Sequence, residues 1–195
     1  SIAGSFALSL EFAAIGLGYF TLNVGYSLAL KHLPWIDVLV IATGFILRIF
    51  GGALAIVVPM SIWLALCTFL LAAFLGFGKR KHELLMAGTG GGKQRRVLER
   101  YNVEAVKVMM TVLALATTAA YAAYTLFGHT QASFDPRDLV WTIPLVPIGI
   151  FRFHRLTNRV AEGQSPTDAM LKDPLFMSTI VVWGLMVLWV IYFQG

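Results

Sequence analysis

Cysteine occurs once in this 195-residue chain, at Cys67, so no disulfide can form within it and no thiol motif is present. Charge is scarce: Asp, Glu, Lys and Arg make up 13% of the residues, against 58% hydrophobic ones. A soluble domain carries about twice that charged share. The histidines at positions 32, 82, 129 and 154 lack metal-ligand spacing and have no Cys nearby, which argues against a zinc site. The net charge of +5 comes with no nucleic-acid-binding motif and no soluble domain to use it, so no nucleic acid is expected as a partner. The stretch Ala87–Gln94 nearly matches a phosphate-binding Walker A loop, but it lacks the first Gly. It also places Gln94 where Ser or Thr should stand and follows no strand, so it is set aside.

What the chain has instead is long apolar runs. About 20 residues cross a ~30 Å hydrocarbon core. Six stretches read as spans: Phe12–Leu30, Ile36–Val57, Ser61–Gly78, Glu104–Phe127, Asp138–Phe153 and Leu175–Phe193. The fifth is short and contains Pro144 and Pro147, which predicts a kink. Ser1–Leu10 is apolar but too short to span, and reads as the tail of a preceding helix. The expected fold is an all-α, polytopic transmembrane helix bundle of about six complete helices, forming one membrane-embedded domain over residues 1–195.

Basic residues are distributed unevenly. Thirteen of the fifteen fall in or beside the segments 31–35, 79–107 and 152–174, which alternate along the chain and so share one side. Only Arg137 lies in the opposite loops, and Arg48 is inside a span. The positive-inside rule puts the basic side in the cytoplasm, which predicts a multi-pass protein of the inner (plasma) membrane with its working face there. On that face Gly88–Gly92 reads as a flexible link leading into Lys93–Arg96, and Ser165-Pro166-Thr167-Asp168 as the start of a short helix over 166–172.

Several polar groups interrupt the spans. Tyr19, Asn23 and Tyr26 follow one another at i, i+4 and i+7, and Ser27 and Lys31 continue the line from Asn23. Tyr and Asn can join helices by hydrogen bonds, and a terminal Lys can extend toward water. Asp37 and Arg48 are eleven residues apart on one helical face, with Ile41 and Gly44 between them. At ~16 Å along the axis they cannot pair, so each needs another partner. A mid-span Arg is costly unless it meets a neighbouring carboxylate or an anionic ligand. The run Lys79-Arg80-Lys81-His82-Glu83 closes the third span. Lys79, His82 and Glu83 share a face there, Glu83 being placed to neutralise Lys79 or orient His82, while Arg80 and Lys81 point elsewhere. Lys and Arg donate without accepting and so suit phosphate oxygens. The plainer reading is a topology anchor, which accounts for the lysines but less well for His82 and Glu83.

Taken together, Tyr26–Lys31, Asp37, the GFILR block at Gly44–Arg48 and the GKRKHEL block at Gly78–Leu84 resemble the UbiA superfamily of membrane prenyltransferases. More narrowly they resemble its decaprenyl-phosphate phosphoribosyltransferase branch, as does Phe151-Arg152-Phe153 followed by Ser165–Leu175. The resemblance implies a bundle of about nine helices around a cavity open toward the cytoplasm, of which this chain would be the C-terminal two thirds. It implies transfer of a phosphoribosyl group from phosphoribosyl diphosphate to a polyprenyl phosphate lipid, with Mg2+ as cofactor. The substrate-binding residues it implies are Tyr26, Ser27, Lys31, Asp37, Arg48, Lys79, Arg80, His82 and Glu83. Of these, Lys31, Arg48, Lys79 and Arg80 would meet phosphate oxygens, while Asp37 and Glu83 would bind ribose hydroxyls or orient cations. Where ordinary members of the superfamily carry a second aspartate-rich motif, this chain reads KRKHE. The first such motif, of the type NDxxDxxxD, has no counterpart here, so the magnesium ligands are expected upstream of Ser1 or on a partner chain. On that expectation the chain alone would not turn over. Two other readings remain: a UbiA-type prenyltransferase with an aromatic or other acceptor, and a non-catalytic membrane transport subunit using Asp37 and Arg48 as pathway charges.

Overall fold

The computed structural model describes residues 10–88, 101–127, 136–159 and 166–193. The remainder of Ser1–Leu10, the Gly-rich link past Gly88, the basic run Lys93–Arg96, His129 and Ser165 lie outside the described residues. Among the described residues the structure is helical with no strand. The seven α-helices are α1 (Leu10–Leu28), α2 (Ile36–Ala55), α3 (Ile62–Gly88), α4 (Val103–Phe127), α5 (Leu145–Arg159), α6 (Pro166–Lys172) and α7 (Pro174–Phe193). Short 3-10 turns at Leu30–His32 and Pro136–Thr142 precede α2 and α5.

Four of these helices are long and apolar enough to cross a membrane: α2, α3 over Ile62–Met86, α4 and α7. At 20 residues, α2 and α7 each reach about 30 Å, the thickness of a hydrocarbon core. The helix α1 has 19 residues, but with Glu11, Asn23 and two tyrosines spread along it, it has no 18-residue stretch as apolar as those of the other four. Two expected boundaries are corrected. The segment Asp138–Phe153 is not one span, because the chain turns at Ile143-Pro144 between the 3-10 turn and the 15-residue α5, which measures only about 22 Å. The third helix does not stop at Gly78 but runs on to Gly88, so Lys79–Glu83 lie within a helix rather than at its mouth. The short helix at 166–172 forms as expected.

Sequence neighbours pack as spatial neighbours, α1 on α2, α2 on α3 and α3 on α4, while α5 closes against α3, α4 and α7. The core gathers near one end of this bundle, where Val38, Phe74, Phe77, Val106, Met110, Phe153 and Phe176 are buried together. Glycines allow the close crossings there. A Cβ on Gly76 would lie 2.7 Å from Val38 Cγ1, and one on Gly78 would lie 2.5 Å from the Phe153 ring. Gly78, the first residue of the GKRKHEL block, is therefore set by packing. Large apolar side chains such as Val112, Leu115, Leu185 and Trp189 are exposed, as expected of faces that meet lipid rather than water.

Asp173 joins α5 to α7. It caps α7 by accepting the Phe176 N–H at 2.7 Å, with Pro174 at the first helical position. Arg152 of α5 holds the same carboxylate from two guanidinium nitrogens, at 3.0 Å and 2.6 Å. That bond keeps the Asp173 carboxyl below the usual carboxylate range. The Arg152 and Asp-Pro elements of the C-terminal signature are thus a helix joint in this chain.

Candidate functional site

Residues far apart in sequence meet where α2 begins and α3 nears its end. Trp35 enters α2 with a φ of 69°, a left-handed conformation costly for a bulky residue. It is held there by its N–H, which donates to the Tyr101 hydroxyl at 2.7 Å, and by its ring against Phe77 and Tyr101. The turn delivers Asp37 to a fully buried position. There Asp37 Oδ1 accepts the Tyr101 O–H at 2.5 Å and its neighbour's N–H at 2.9 Å. Its Oδ2 lies 2.7 Å from Arg80 Nε, close enough for a charge contact but off the angle of a hydrogen bond. Arg80 also donates through Nη1 to Glu83, one turn further along α3. Burial and the bond to Asp37 push the Tyr101 phenol well above its ordinary pKa, so it stays a neutral donor.

This network corrects the pairing read from spacing. Glu83 takes Arg80 rather than Lys79, and Arg80 is the partner that Asp37 needs. Arg80 and Lys81 are the residues turned inward, at 2% and 1% exposure, whereas Lys79 is exposed. His82 is half-buried. The inward turn of Arg80 and Lys81 excludes the idea that the whole cationic run is an anchor pointing out into lipid or water.

A second grouping lies between α1 and α2. Tyr19, Asn23 and Tyr26 face Ile41, Gly44 and Arg48 across a cavity of about 130 Å³, as the i, i+4, i+7 spacing predicts. Among the described residues Arg48 finds no carboxylate and no ion pair. It donates to the Tyr19 hydroxyl and lies over the Tyr19 and Phe45 rings, 5.1 and 5.3 Å from their centroids. Asn23 spends a donor on the Tyr19 carbonyl at 2.7 Å. Ser27 is exposed, and Lys31 is half-buried in the 3-10 turn. Tyr26 also lies within electrostatic reach of Arg80, which links the two groupings.

A third grouping has no motif. Lys81 of α3, Lys107 of α4 and His154 of α5 line an open cleft of about 480 Å³ with Asn158 and Thr111. Tyr101, Lys107 and His154 escaped the sequence reading for simple reasons. Lys107 counted only toward topology, His154 was discarded for lacking metal spacing, and Tyr101 is 64 residues from Asp37. A Tyr two residues before a helix that opens with Val-Glu-Ala-Val-Lys was the available signal.

The carboxylates present do not fit a magnesium ion. Among the described residues only Asp37 and Glu83 converge, and the Arg80 guanidinium already sits between them, where a divalent cation would have to be. Among the described residues, no group of three or more His, Cys, Asp or Glu side chains could hold a metal. The chemical capacity of these groups is cationic, suited to oxygens of phosphate or diphosphate.

No family profile matches the chain. It is similar to proteins named decaprenyl-phosphate phosphoribosyltransferase from three organisms. With the Corynebacterium glutamicum protein it shares 29% identity over 89% of this chain and 52% of that protein. With the Mycolicibacterium smegmatis protein the figures are 27%, 94% and 59%, and with that of Mycobacterium tuberculosis 26%, 94% and 59%. The chain thus spans somewhat more than half the length of the curated relatives it resembles, and nine-tenths of it aligns with them.

Proposed function

We propose that the protein takes part in moving a 5-phosphoribosyl group from phosphoribosyl diphosphate to a polyprenyl phosphate, decaprenyl phosphate by analogy with the relatives. The observation that carries this reading is the inward turn of Arg80 and Lys81 inside a membrane helix. Cations are costly there unless they meet anions, and Asp37 and Glu83 answer only for Arg80. The names of the relatives supply the reaction class.

In this reading an oxygen of the lipid phosphate attacks the anomeric carbon of the ribose. A C–O bond forms as the bond to diphosphate breaks, and the electron pair leaves with the diphosphate. Negative charge builds on the leaving group, and preorganised cations stabilise it. Arg48, Lys31 and Lys79 are assigned to phosphate oxygens, with Tyr26 and Ser27 beside them. Arg80, fixed by Asp37 and Glu83, presents a rigid positive wall rather than a mobile one. Magnesium enters this proposal as the companion of the diphosphate, not as an ion held by Asp37 or Glu83. The membrane assigned is the inner (plasma) membrane, with this end of the bundle toward the cytoplasm, as the basic-residue bias supports. No observation favours an aromatic acceptor or a transport role over this reading.

The test is transfer of label from phosphoribosyl diphosphate into the lipid fraction by membranes containing the protein. Arg48 and Lys79 are both exposed, so Arg48→Ala and Lys79→Ala should leave the fold intact while transfer falls by at least about tenfold. Full transfer by both variants would remove them from the site, and no transfer by membranes that also hold the source of the magnesium ligands would overturn the reaction assigned.

A further inference from the structure

Tyr101 is 7% exposed, belongs to no motif and has no part in the transfer step proposed for the site. It stands two residues before α4, yet its side chain reaches the start of α2. Its one hydroxyl makes two hydrogen bonds there. It accepts the Trp35 N–H at 2.7 Å and donates to Asp37 Oδ1 at 2.5 Å. The Tyr101 ring packs on the Trp35 ring, which packs in turn on Phe77 of α3, with centroids 5.5 and 5.4 Å apart. Burial holds the phenol above its ordinary pKa, so the donating proton stays in place at neutral pH.

The two bonds lead to opposite sides of the cationic end. Trp35 follows the 3-10 turn that carries Lys31, and backbone bonds tie this turn to α2. The Leu33 N–H donates to Leu30 O and the Asp37 N–H to Leu33 O, each at 3.1 Å. The left-handed φ of 69° at Trp35 persists only where contacts compensate for it, and the Tyr101 hydroxyl is one of them. Lys31 stands where that turn puts it. On the other side, Asp37 Oδ2 lies 2.7 Å from Arg80 Nε, and among the described residues neither atom has a hydrogen bond. A charge contact lacks the directionality of a hydrogen bond. The rotation of the carboxylate is therefore fixed at Oδ1, by Tyr101 and the Val38 N–H. Val38 moves with α2, so Tyr101 supplies the hydrogen bond that comes from outside that helix.

We propose that Tyr101 is a positioning residue whose hydroxyl sets the spacing between Lys31 on one side and the Arg80 guanidinium on the other. Buried as it is, Tyr101 acts through these cations and not on the substrate. The spacing preorganises the positive charge that the leaving diphosphate meets. That consequence rests on the phosphoribosyltransferase reading, whereas the tie between Tyr101 and Arg80 stands without it.

Tyr101→Phe tests this, because it keeps the ring and removes only the hydroxyl. Transfer is measured in membranes that also hold the source of the magnesium ligands. The kcat should fall about tenfold while KM for phosphoribosyl diphosphate stays within about twofold, since misplaced cations weaken the transition state more than binding. In Arg80→Lys, which keeps the charge but gives up the planar fork, adding Tyr101→Phe should cost less than about twofold further. Losses that multiply in the double variant overturn the positioning role, as does a parental kcat in folded Tyr101→Phe. Asp37→Asn breaks the line one step further on and should show the same non-additivity with Arg80→Lys, which decides the outcome if Tyr101→Phe does not fold. A readout without turnover separates the tie from the reaction. In detergent-solubilised protein carrying isotope-labelled arginine, the Arg80 Nε–H resonance, identified by its loss in Arg80→Lys, should shift in Tyr101→Phe. That shift with no transfer by any form sinks the reaction and leaves the tie, and transfer with an unmoved Arg80 resonance sinks the tie and leaves the reaction.

Discussion

Arg80 and Lys81 are consecutive, equally buried and both cationic, yet they face opposite surroundings. On the α2 side, Arg80 meets Asp37 and Glu83, and Tyr101 supplies a neutral donor that completes the Asp37 carboxylate. On the α4–α5 side, Lys81 meets a second lysine and a histidine around an open volume. One residue of helical rotation, about 100°, separates a cation held by two carboxylates from one placed beside a second lysine and a histidine. A cation whose partners are built in belongs to the architecture.

The largest test of this contrast removes the satisfied cation. Arg80→Met leaves Asp37 fully buried beside no counter-charge, and should destabilise the protein by about 3–5 kcal/mol, read as a fall in thermal unfolding temperature in detergent. The double variant Asp37→Asn/Arg80→Met should recover part of that loss. A single variant as stable as the parent would show the network to be dispensable. Next comes the crossing that sets both sides at once. Gly78→Ala forces a methyl onto the Phe153 ring and should cost about 1–3 kcal/mol, with relief from Phe153→Leu in the same melt.

Asp173 offers a smaller and pH-dependent check at the far joint of α5. Removing its cap and ion pair in Asp173→Ala should cost about 1–2 kcal/mol. Because the folded carboxyl lies below its ordinary range, its contribution is complete above the unfolded carboxylate pKa of about 4. It fades as pH falls through the folded value. Melting curves of parent and variant should therefore converge on acidification, and a gap that widens would refute the assignment. The smallest effect on stability is expected at Lys81. Lys81→Met replaces a cation set beside Lys107 and His154 with an apolar chain of similar length and should be neutral or stabilising within about 1 kcal/mol. A loss as large as that of Arg80→Met would erase the distinction between the two positions.

Much of this was legible in the order of residues. Apolar runs of spanning length marked α2, α3, α4 and α7, and the Tyr19–Asn23–Tyr26 spacing placed all three on the cavity they share with Arg48. Ser-Pro-Thr-Asp marked the start of α6. The failures have physical causes. The third helix outran its apolar stretch because tertiary contacts, not hydropathy, carry it to Gly88, with Arg80 and Lys81 buried against its neighbours. Periodicity placed Lys79, His82 and Glu83 on one face but could not say which face the bundle would cover.

The sequence by itself determined a membrane-sized helical bundle and its concentration of cations at one end, since hydropathy and charge are local properties that each segment carries alone. Only the tertiary structure decided which cation meets a carboxylate. Asp37, Arg80 and Tyr101 belong to three different segments, and the angle at which those helices cross fixes the distances between them. The same crossing leaves Lys81 facing Lys107 and His154, because a helix can point consecutive side chains at different neighbours.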